Sequence, residues 1–325
     1  MGTLYIDRKN SELRHQGQRL LLYVNGRREQ TIPFNLLDRV VMRGQVQTST
    51  ATLGALTAAG IAVTMLTGRF GNQLATVYGT PHNDGRRRQA QYRATTDPAA
   101  QLDIARYLLR RKLLGQQRLL QRARIRRPEH RAPLGKAVNV VQGLRHRLNR
   151  PDLTIGALRG VEGAAASAYF GAYRLLFAPS LGFDGRKRRP PPDPVNACLS
   201  LGYTLAHAEA VRVLFSAGLD PYLGFLHEPD FGRESLAADL IEPLRPRIDR
   251  WVWRLFVQRL LREDHFHRDD GGACLLGKTG RGIFYTEYET LGRWQHRWMR
   301  RQTYQLVNHL LQRGPTQQQP TGAKP

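Results

Sequence analysis

A short acidic segment interrupts an otherwise strongly basic chain. Residues 227–243, HEPDFGRESLAADLIEP, contain one histidine and five acidic residues, although the whole chain has a formal net charge of +24. His227 lies in a predicted loop, whereas Asp239 and Glu242 lie three residues apart in a predicted helix with Ser235 as its N-cap. Side chains at this spacing project from one face of a helix. The segment can therefore direct an imidazole and two carboxylates toward one ion.

The ligand types in this segment indicate which ion that would be. Two carboxylates and one imidazole favour Mn²⁺ or Mg²⁺ over a structural zinc site, since structural zinc sites are rich in cysteine. His227 taken alone could equally be a structural histidine. The other acids of the segment, Glu228, Asp230 and Glu234, are interpreted as solvated charges. A metal site here therefore needs a further ligand from elsewhere in the chain.

Glu162 is the candidate for that further ligand. It lies in a predicted helix over residues 155–177, IGALRGVEGAAASAYFGAYRLLF, and shares a helix face with Ala166, Tyr169 and Tyr173. A carboxylate beside two aromatic rings is costly unless it is paired. The partner is either one of the many arginines or a metal ion, and the spacing alone leaves both open.

The charge balance indicates what a metal site in this chain would act on. The chain has 50 basic and 26 acidic residues, and residues 86–127 hold 13 basic and 2 acidic side chains. A field of that sign attracts polyanions, and nucleic acid is the first candidate. A metal ion next to phosphate polarises a phosphoryl oxygen and lowers the pKa of an attacking hydroxyl group. Phosphodiester chemistry is therefore the predicted reaction class.

The elements that must position these residues fall into two regions. Residues 1–85 read as short strands with one helix near residues 48–60, which predicts a small N-terminal β domain. Residues 86–96 are predicted to be a linker, and residues 97–312 a larger all-α catalytic domain with helices capped by Asp97 and Asp193. Residues 313–325 are low in complexity and predicted to be disordered. The expected fold class is α+β.

Several features argue against other classes of protein. No segment is long and apolar enough to cross a membrane, and two cysteines do not form a disulfide framework, so a prokaryotic cytoplasm is expected. Residues 272–279, GACLLGKT, match the Walker A pattern, but no buried strand precedes them. No nucleotide is expected there. The histidines of residues 265–270, HFHRDD, are interpreted as surface residues rather than metal ligands.

With these residues in view, the chain resembles the CRISPR-associated Cas1 family of metal-dependent DNA endonucleases and integrases. The resemblance is carried by LRGVEGAAASAYF, RRPPPDPVNACLSLGYTLAHAEA and GLDPYLGFLHEPDFGRESLAADLIEPLRPRID, in that order and at that spacing. The N-terminal strand region is similar as well, so the likeness covers roughly residues 3–310.

The resemblance implies roles for individual residues. The three metal ligands and catalytic residues of the family fall on Glu162, His227 and Glu242, with Mg²⁺ or Mn²⁺ as the ion. Asp239 matches an acidic position beside a ligand, which implies a supporting role. Other residues lie in or beside the family's motif segments and are candidates for contact with nucleic acid: Tyr169, Arg186, Lys187, Arg188, Arg189, Asn196 and Arg245.

The resemblance also implies an activity and partners. Family members insert short foreign DNA into the CRISPR array, with the 3′-hydroxyl of the captured DNA attacking a repeat phosphodiester. They form homodimers through the β domain and act on double-stranded DNA together with the small ferredoxin-like protein Cas2. The alternative is a non-catalytic basic scaffold that binds DNA while its acids make internal ion pairs. A third possibility is a P-loop ATPase acting on nucleic acid.

Overall fold

A computed structural model describes residues 2–66, 73–79, 82–187 and 190–313. Arg188 and Arg189 lie outside the described residues. The predicted disordered tail also lies outside them, except for Arg313, which follows the last helix directly.

The N-terminal region is built from two small sheets, as its short β-branched segments predict. One sheet has the order β1-β5-β7-β8, in which β1, β5 and β7 are parallel and β8 is antiparallel. Its strands are β1 (Gly2–Ile6), β5 (Leu37–Arg43), β7 (Ala62–Leu66) and β8 (Gln73–Val77). The other has the order β4-β3-β2-β6, with β2 (Ser11–Gln16), β3 (Arg19–Val24), β4 (Arg27–Pro33) and β6 (Val46–Thr48).

Local sequence signals explain this region well. Asn25 and Gly26 both have positive φ, 50° and 75°, and make the tight turn that joins β3 to β4. Helix α1 (Thr50–Ala58) begins where the Ser49 side chain accepts a hydrogen bond from the Thr52 amide, 3.2 Å away. The predicted strand region with one short helix is therefore confirmed.

The predicted linker is wrong. Residues 86–96 belong to helix α2 (Gly85–Thr96), which begins at an Asp84 cap. Ala90, Gln91 and Ala94 are buried, and the Gln91 amide donates to the backbone oxygens of residues 220 and 223. The turn-forming residues mark a helix start, and small side chains one turn apart let this polar helix pack closely.

The rest of the chain is mainly helical and shares one apolar core. The helices are α3 (Pro98–Arg126), α4 (Arg131–Arg147), α5 (Ile155–Tyr173), α6 (Pro194–Ser216), α7 (Ser235–Ile241), α8 (Arg245–Val257) and α9 (Lys278–Gln312). The Asp97 and Asp193 side chains cap α3 and α6 as expected. Val41 and Leu66 of the first sheet belong to the same core as the helices, so the two regions are packed together. No helix among the described residues has the length and apolarity needed to span a membrane.

Two details of the helical region differ from expectation. A short antiparallel hairpin, β9 (Phe266–Arg268) with β10 (Cys274–Leu276), lies between α8 and α9, so this region is not purely helical. The predicted helix from Ser235 onward is also divided, because Pro243 cannot donate an amide hydrogen bond. A 3-10 turn over Glu242–Leu244 separates α7 from α8.

Candidate metal centre

Glu162, His227 and Glu242 come together although they are far apart in the sequence. Their ligand atoms all lie within 4.8 Å of one another. Glu162 comes from the middle of α5, His227 from the loop before α7, and Glu242 from the 3-10 turn after α7. Among the described residues, this is the one group of three or more acids, histidines and cysteines with such convergence.

Glu242 is held in a strongly positive environment. Its side chain is buried, and Arg245 Nε donates to its Oε1 over 2.7 Å. Burial alone would raise the pKa of the carboxyl group, but Arg245, Lys112 and His227 outweigh burial and hold the pKa well below its usual range. Glu242 is therefore ionised and available as a ligand at any pH near neutrality.

A lysine lies between the two carboxylates. Lys112 Nζ is 2.7 Å from Glu162 Oε1 and 2.6 Å from Glu242 Oε2. Burial tends to lower the pKa of Lys112, but the negative charges of Glu242 and Glu162 raise it above the ordinary value. This residue was not among those predicted from the sequence. The signal for it was its place on the buried face of α3, one turn after Leu108 and Leu109.

Asp239 fixes the orientation of His227. The carboxylate is completely buried, and its Oδ1 lies 2.6 Å from His227 Nδ1. It also accepts hydrogen bonds from the backbone amides of Phe225, Leu226 and His227. With Nδ1 engaged by a carboxylate, Nε2 is the ring nitrogen left to face an ion.

The loop that carries His227 is packed tightly against α7. A Cβ added at Gly224 would lie 2.8 Å from Asp239 Oδ2 and 2.8 Å from the Ser235 carbonyl carbon. Ser235 is the first residue of α7 rather than its N-cap, and its hydroxyl donates to the Glu228 carbonyl oxygen over 2.9 Å. The predicted cap is therefore wrong, and Ser235 instead anchors the loop.

The three side chains fit a hard divalent cation. Imidazole nitrogen and carboxylate oxygen are ligands of Mn²⁺ and Mg²⁺ sites. Glu242 Oε2 is buried and accepts no well-directed hydrogen bond from the described residues, although Lys112 Nζ is close. A carboxylate oxygen in that state has a lone pair directed toward the site. Glu162, His227 and Glu242 would hold the ion.

A buried tyrosine cluster lies on the other side of these helices, around Asp249 of α8. Tyr169 donates to Asp249 Oδ2 over 2.8 Å, Tyr203 donates to Oδ1, and Tyr173 donates to the Asp249 carbonyl oxygen over 2.7 Å. Burial raises the pKa of the Asp249 carboxyl group to about 6. Asp249 was not predicted from the sequence either, because one acid in an arginine-rich helix gives no periodic signal.

Two of the predicted nucleic-acid contacts are wrong for this structure. Tyr169 and Asn196 are both completely buried, so neither can touch DNA directly. Asn196 instead organises the basic loop, since its Oδ1 accepts from the Lys187 amide and its Nδ2 donates to the Gly185 carbonyl oxygen. The helix-start position of Asn196 explains this role.

The other described candidates lie at or near a polar cavity. This cavity, of about 850 Å³, is lined by Arg43, Arg186, Tyr203, His207, Arg233 and Arg245 among others. Arg186 donates to Asn196 Oδ1 and Ser200 Oγ, and the Arg245 guanidinium stacks on Tyr203, 4.5 Å from the ring centre. Lys187 is exposed and pairs with Asp184. Because Arg245 also binds Glu242, the cavity adjoins the three converging side chains.

The two discounted motifs have ordinary local structures. Strand β10 lies inside the Walker-like residues 272–279 rather than before them, so no phosphate-binding loop precedes α9. In residues 265–270, Asp269 Oδ1 accepts from the amides of Gly271 and Ala273 and closes the turn of the β9–β10 hairpin.

Comparisons with known proteins agree with this geometry. The family model described as CRISPR associated protein Cas1 matches residues 4–290. A relative from Thermodesulfovibrio yellowstonii, named CRISPR-associated endonuclease Cas1 1, is 39% identical over 290 residues, covering 89% of this chain and 91% of the relative.

Two solved structures share the fold. A CAS1 protein from Thermotoga maritima has a TM-score of 0.83 at 22% identity and covers 100% of both chains. A casposase bound to its integration product has a TM-score of 0.83 at 22% identity, covering 97% of this chain and 92% of the casposase.

Proposed function

The chain belongs to the Cas1 family of CRISPR-associated proteins, and from this premise we propose that it is a divalent-metal-dependent DNA endonuclease and integrase. Its substrates are double-stranded protospacer DNA and the CRISPR repeat. The observation that carries the proposal is the convergence of Glu162, His227 and Glu242 within 4.8 Å. A Mg²⁺ or Mn²⁺ ion bound there would supply Lewis-acid stabilisation of a phosphoryl oxygen and activation of the attacking hydroxyl group.

The side chains around the centre prepare it for phosphate. Asp239 holds His227 in one tautomer and one ring orientation through its 2.6 Å contact with Nδ1. Arg245 and Lys112 keep Glu242 ionised and bring positive charge to the place where phosphate must approach. This charge offsets the repulsion that carboxylates would otherwise exert on a DNA backbone.

The reaction follows from this arrangement as a one-step transesterification. The 3′-hydroxyl oxygen of the captured DNA forms a bond to phosphorus, and the bond from phosphorus to the 3′-oxygen of the repeat breaks. The attacking hydroxyl loses its proton and the leaving oxygen gains one. With water as the nucleophile, the same steps nick DNA. No covalent intermediate with the enzyme is needed.

The DNA-binding surface proposed for this reaction includes Arg186, Lys187 and Arg245. Their support is position, since the cavity that Arg186 and Arg245 line adjoins the metal centre and Lys187 follows Arg186 directly in the sequence. Arg188 and Arg189 are the next residues of the chain and are proposed with them. The strongly positive charge of the chain favours the same polyanion.

We propose that the strand region forms the homodimer and that the protein acts with Cas2. Strand β4 lies at the edge of its sheet with residues 27–31 exposed, and the Leu36 side chain just beyond it is 54% exposed. An exposed strand edge beside an apolar side chain is suited to pairing with a second chain. Partnership with Cas2 rests on the family alone.

The test is integration of a short DNA duplex into a plasmid bearing a CRISPR repeat, with Mn²⁺ or Mg²⁺ and with or without Cas2. Glu162→Ala and His227→Ala are expected to lose integration and nicking by at least about a hundredfold. Glu129→Ala, a half-exposed glutamate paired with Arg127, is the matched control and should leave activity unchanged. Activity that survives in both folded site variants would overturn the proposal.

One observation favours the non-catalytic scaffold as the second candidate. Both glutamates of the centre are ion-paired with Lys112, as a purely structural network would require. If the protein is such a scaffold, the unchanged chain will bind DNA but will neither nick nor integrate it with any divalent ion.

A further inference from the structure

Lys112 stands apart from every other basic residue of its helix. Helix α3 contains many arginines, but Lys112 is the one basic residue on its buried face, with its side chain 8% exposed. It is surrounded along that face by Leu108, Leu109 and Leu113. An ammonium group in such surroundings needs strong compensation for the loss of water.

The compensation comes from both carboxylates of the metal centre at once. Nζ is 2.7 Å from Glu162 Oε1 and 2.6 Å from Glu242 Oε2, so it touches one oxygen of each. Arg245 binds the other oxygen of Glu242. Lys112 is therefore the single side chain among the described residues that forms ion pairs with both glutamates.

This position conflicts with a bound divalent ion. An ion held by Glu162 and Glu242 needs the same carboxylate oxygens that Lys112 contacts, and two like charges at such separation repel strongly. Either the ammonium group moves away when the ion binds, or the ion must be held with Lys112 in place at a cost in affinity.

A second place for the ammonium group exists one turn further along α3. Gln116 lies four residues after Lys112 and is 2% exposed, and its Oε1 is buried without a hydrogen-bond partner among the described residues. Side chains four apart in a helix are neighbours. A rotation of the lysine stem toward this acceptor would satisfy both groups.

We infer that Lys112 is a positioning residue that acts as a resident counter-cation: it holds Glu162 and Glu242 together when no divalent ion is bound, and it competes with the ion for them. This inference rests on the proposed metal site. Ion binding displaces the ammonium group toward Gln116 or toward an incoming phosphate. Metal affinity is therefore weaker in the free protein than the ligands alone would give, and it increases when DNA phosphate supplies a new partner for Lys112.

The test compares the full-length protein with Lys112→Met, which keeps the length and apolar stem but removes the charge. Thermal unfolding is followed in EDTA and across a Mn²⁺ titration, and Mn²⁺ binding is measured separately by electron paramagnetic resonance of the free ion. Lys136→Met, which removes an exposed helical lysine, is the matched control.

Lys112→Met is expected to unfold at a lower temperature in EDTA, since two buried carboxylates then repel each other. It should bind Mn²⁺ about tenfold more tightly and gain more stability from it than the unchanged protein. If the variant is unfolded in EDTA, the expected result is recovery of the fold on adding Mn²⁺.

Two results would overturn the inference, and they differ in meaning. If Lys112→Met binds Mn²⁺ no more tightly than the unchanged protein, while Glu162→Gln abolishes binding in both, Lys112 supports the ion instead of competing with it and the metal site stands. If neither protein binds Mn²⁺ in a Glu162-dependent way, the proposed function fails together with the inference.

Discussion

At the residue scale, the centre depends on how each ligand is oriented as much as on which ligands are present. His227 is exposed enough to be reached, but its ring is fixed by a completely buried Asp239. Asp239 is itself held by three consecutive backbone amides. A carboxylate with that many donors remains ionised and stationary, so the histidine presents the same nitrogen at all times.

The buried Asp249 should make stability depend on pH in a direction opposite to that of most carboxylates. Burial raises its folded-state pKa from 3.8 to about 6, so the folded protein binds more protons than the unfolded chain between these values. Stability should therefore fall as pH rises through this window, by up to about 3 kcal/mol.

The measurement is urea unfolding of the unchanged protein and of Asp249→Asn at several pH values from 4 to 7. Because the variant has no group titrating at this position, its stability relative to the unchanged protein should increase with pH across the window. A difference that is constant with pH would show that Asp249 titrates alike in both states.

At the element scale, the loop before α7 must approach that helix closely to place His227. Gly224→Ala would introduce a Cβ 2.8 Å from Asp239 Oδ2 and from the Ser235 backbone, where nothing flexible can move away. The expected cost is about 1–3 kcal/mol of unfolding free energy, together with loss of metal-dependent activity.

Gly143→Ala provides the matched comparison for this substitution. Gly143 is an exposed helical glycine of α4 with no atom within 4 Å of the added Cβ, so the change should stabilise by up to about 1 kcal/mol. Urea unfolding curves of both variants decide the matter. Equal stability of the two would show that the loop does not need to approach α7 so closely.

The sequence predicted elements best where a local signal decides them. Asp97 and Asp193 followed by proline mark helix starts, and both are confirmed. Ser235 looked like a cap, but the chain turns one residue earlier, at Glu234. The segment 86–96 looked like a linker because its helix is polar, and only its packing against other parts of the chain shows otherwise.

The surroundings of the site were less accessible to sequence reasoning than its ligands. The family resemblance assigned Glu162, His227 and Glu242 by position, and the structure brings these three together. Lys112 and Asp249 belong to helices rich in arginine, where a single further charge is not conspicuous. Their burial, which gives them a role, arises only from the packing of α3, α5 and α8.

At the scale of the whole molecule, the family and the two-part fold inferred from the sequence are confirmed. The positive charge remains the feature that connects them to a substrate. Part of it is concentrated where α3 meets α8: burial lowers the pKa of Arg250, and Arg122 and Arg126 lower it further. Arginines that repel one another in the free protein gain stability when phosphate binds between them.

Binding to duplex DNA should therefore weaken steeply with salt, and this cluster should account for part of the dependence. The double variant Arg122→Gln, Arg250→Gln should reduce the slope of log affinity against log salt by about 2, because each phosphate that an arginine neutralises contributes roughly 0.9 to the slope. Arg150→Gln, an exposed arginine already paired with Asp152, should leave the slope unchanged. Fluorescence anisotropy across a salt series measures both slopes, and identical slopes would place the DNA elsewhere.

The most direct test of the metal centre is anomalous X-ray scattering from crystals of the protein grown with Mn²⁺. We expect one strong manganese peak between Glu162, His227 Nε2 and Glu242, with Lys112 Nζ displaced from both carboxylates. A fully occupied manganese site elsewhere, with Lys112 still bridging the two glutamates, would contradict both the proposed centre and the role of the lysine.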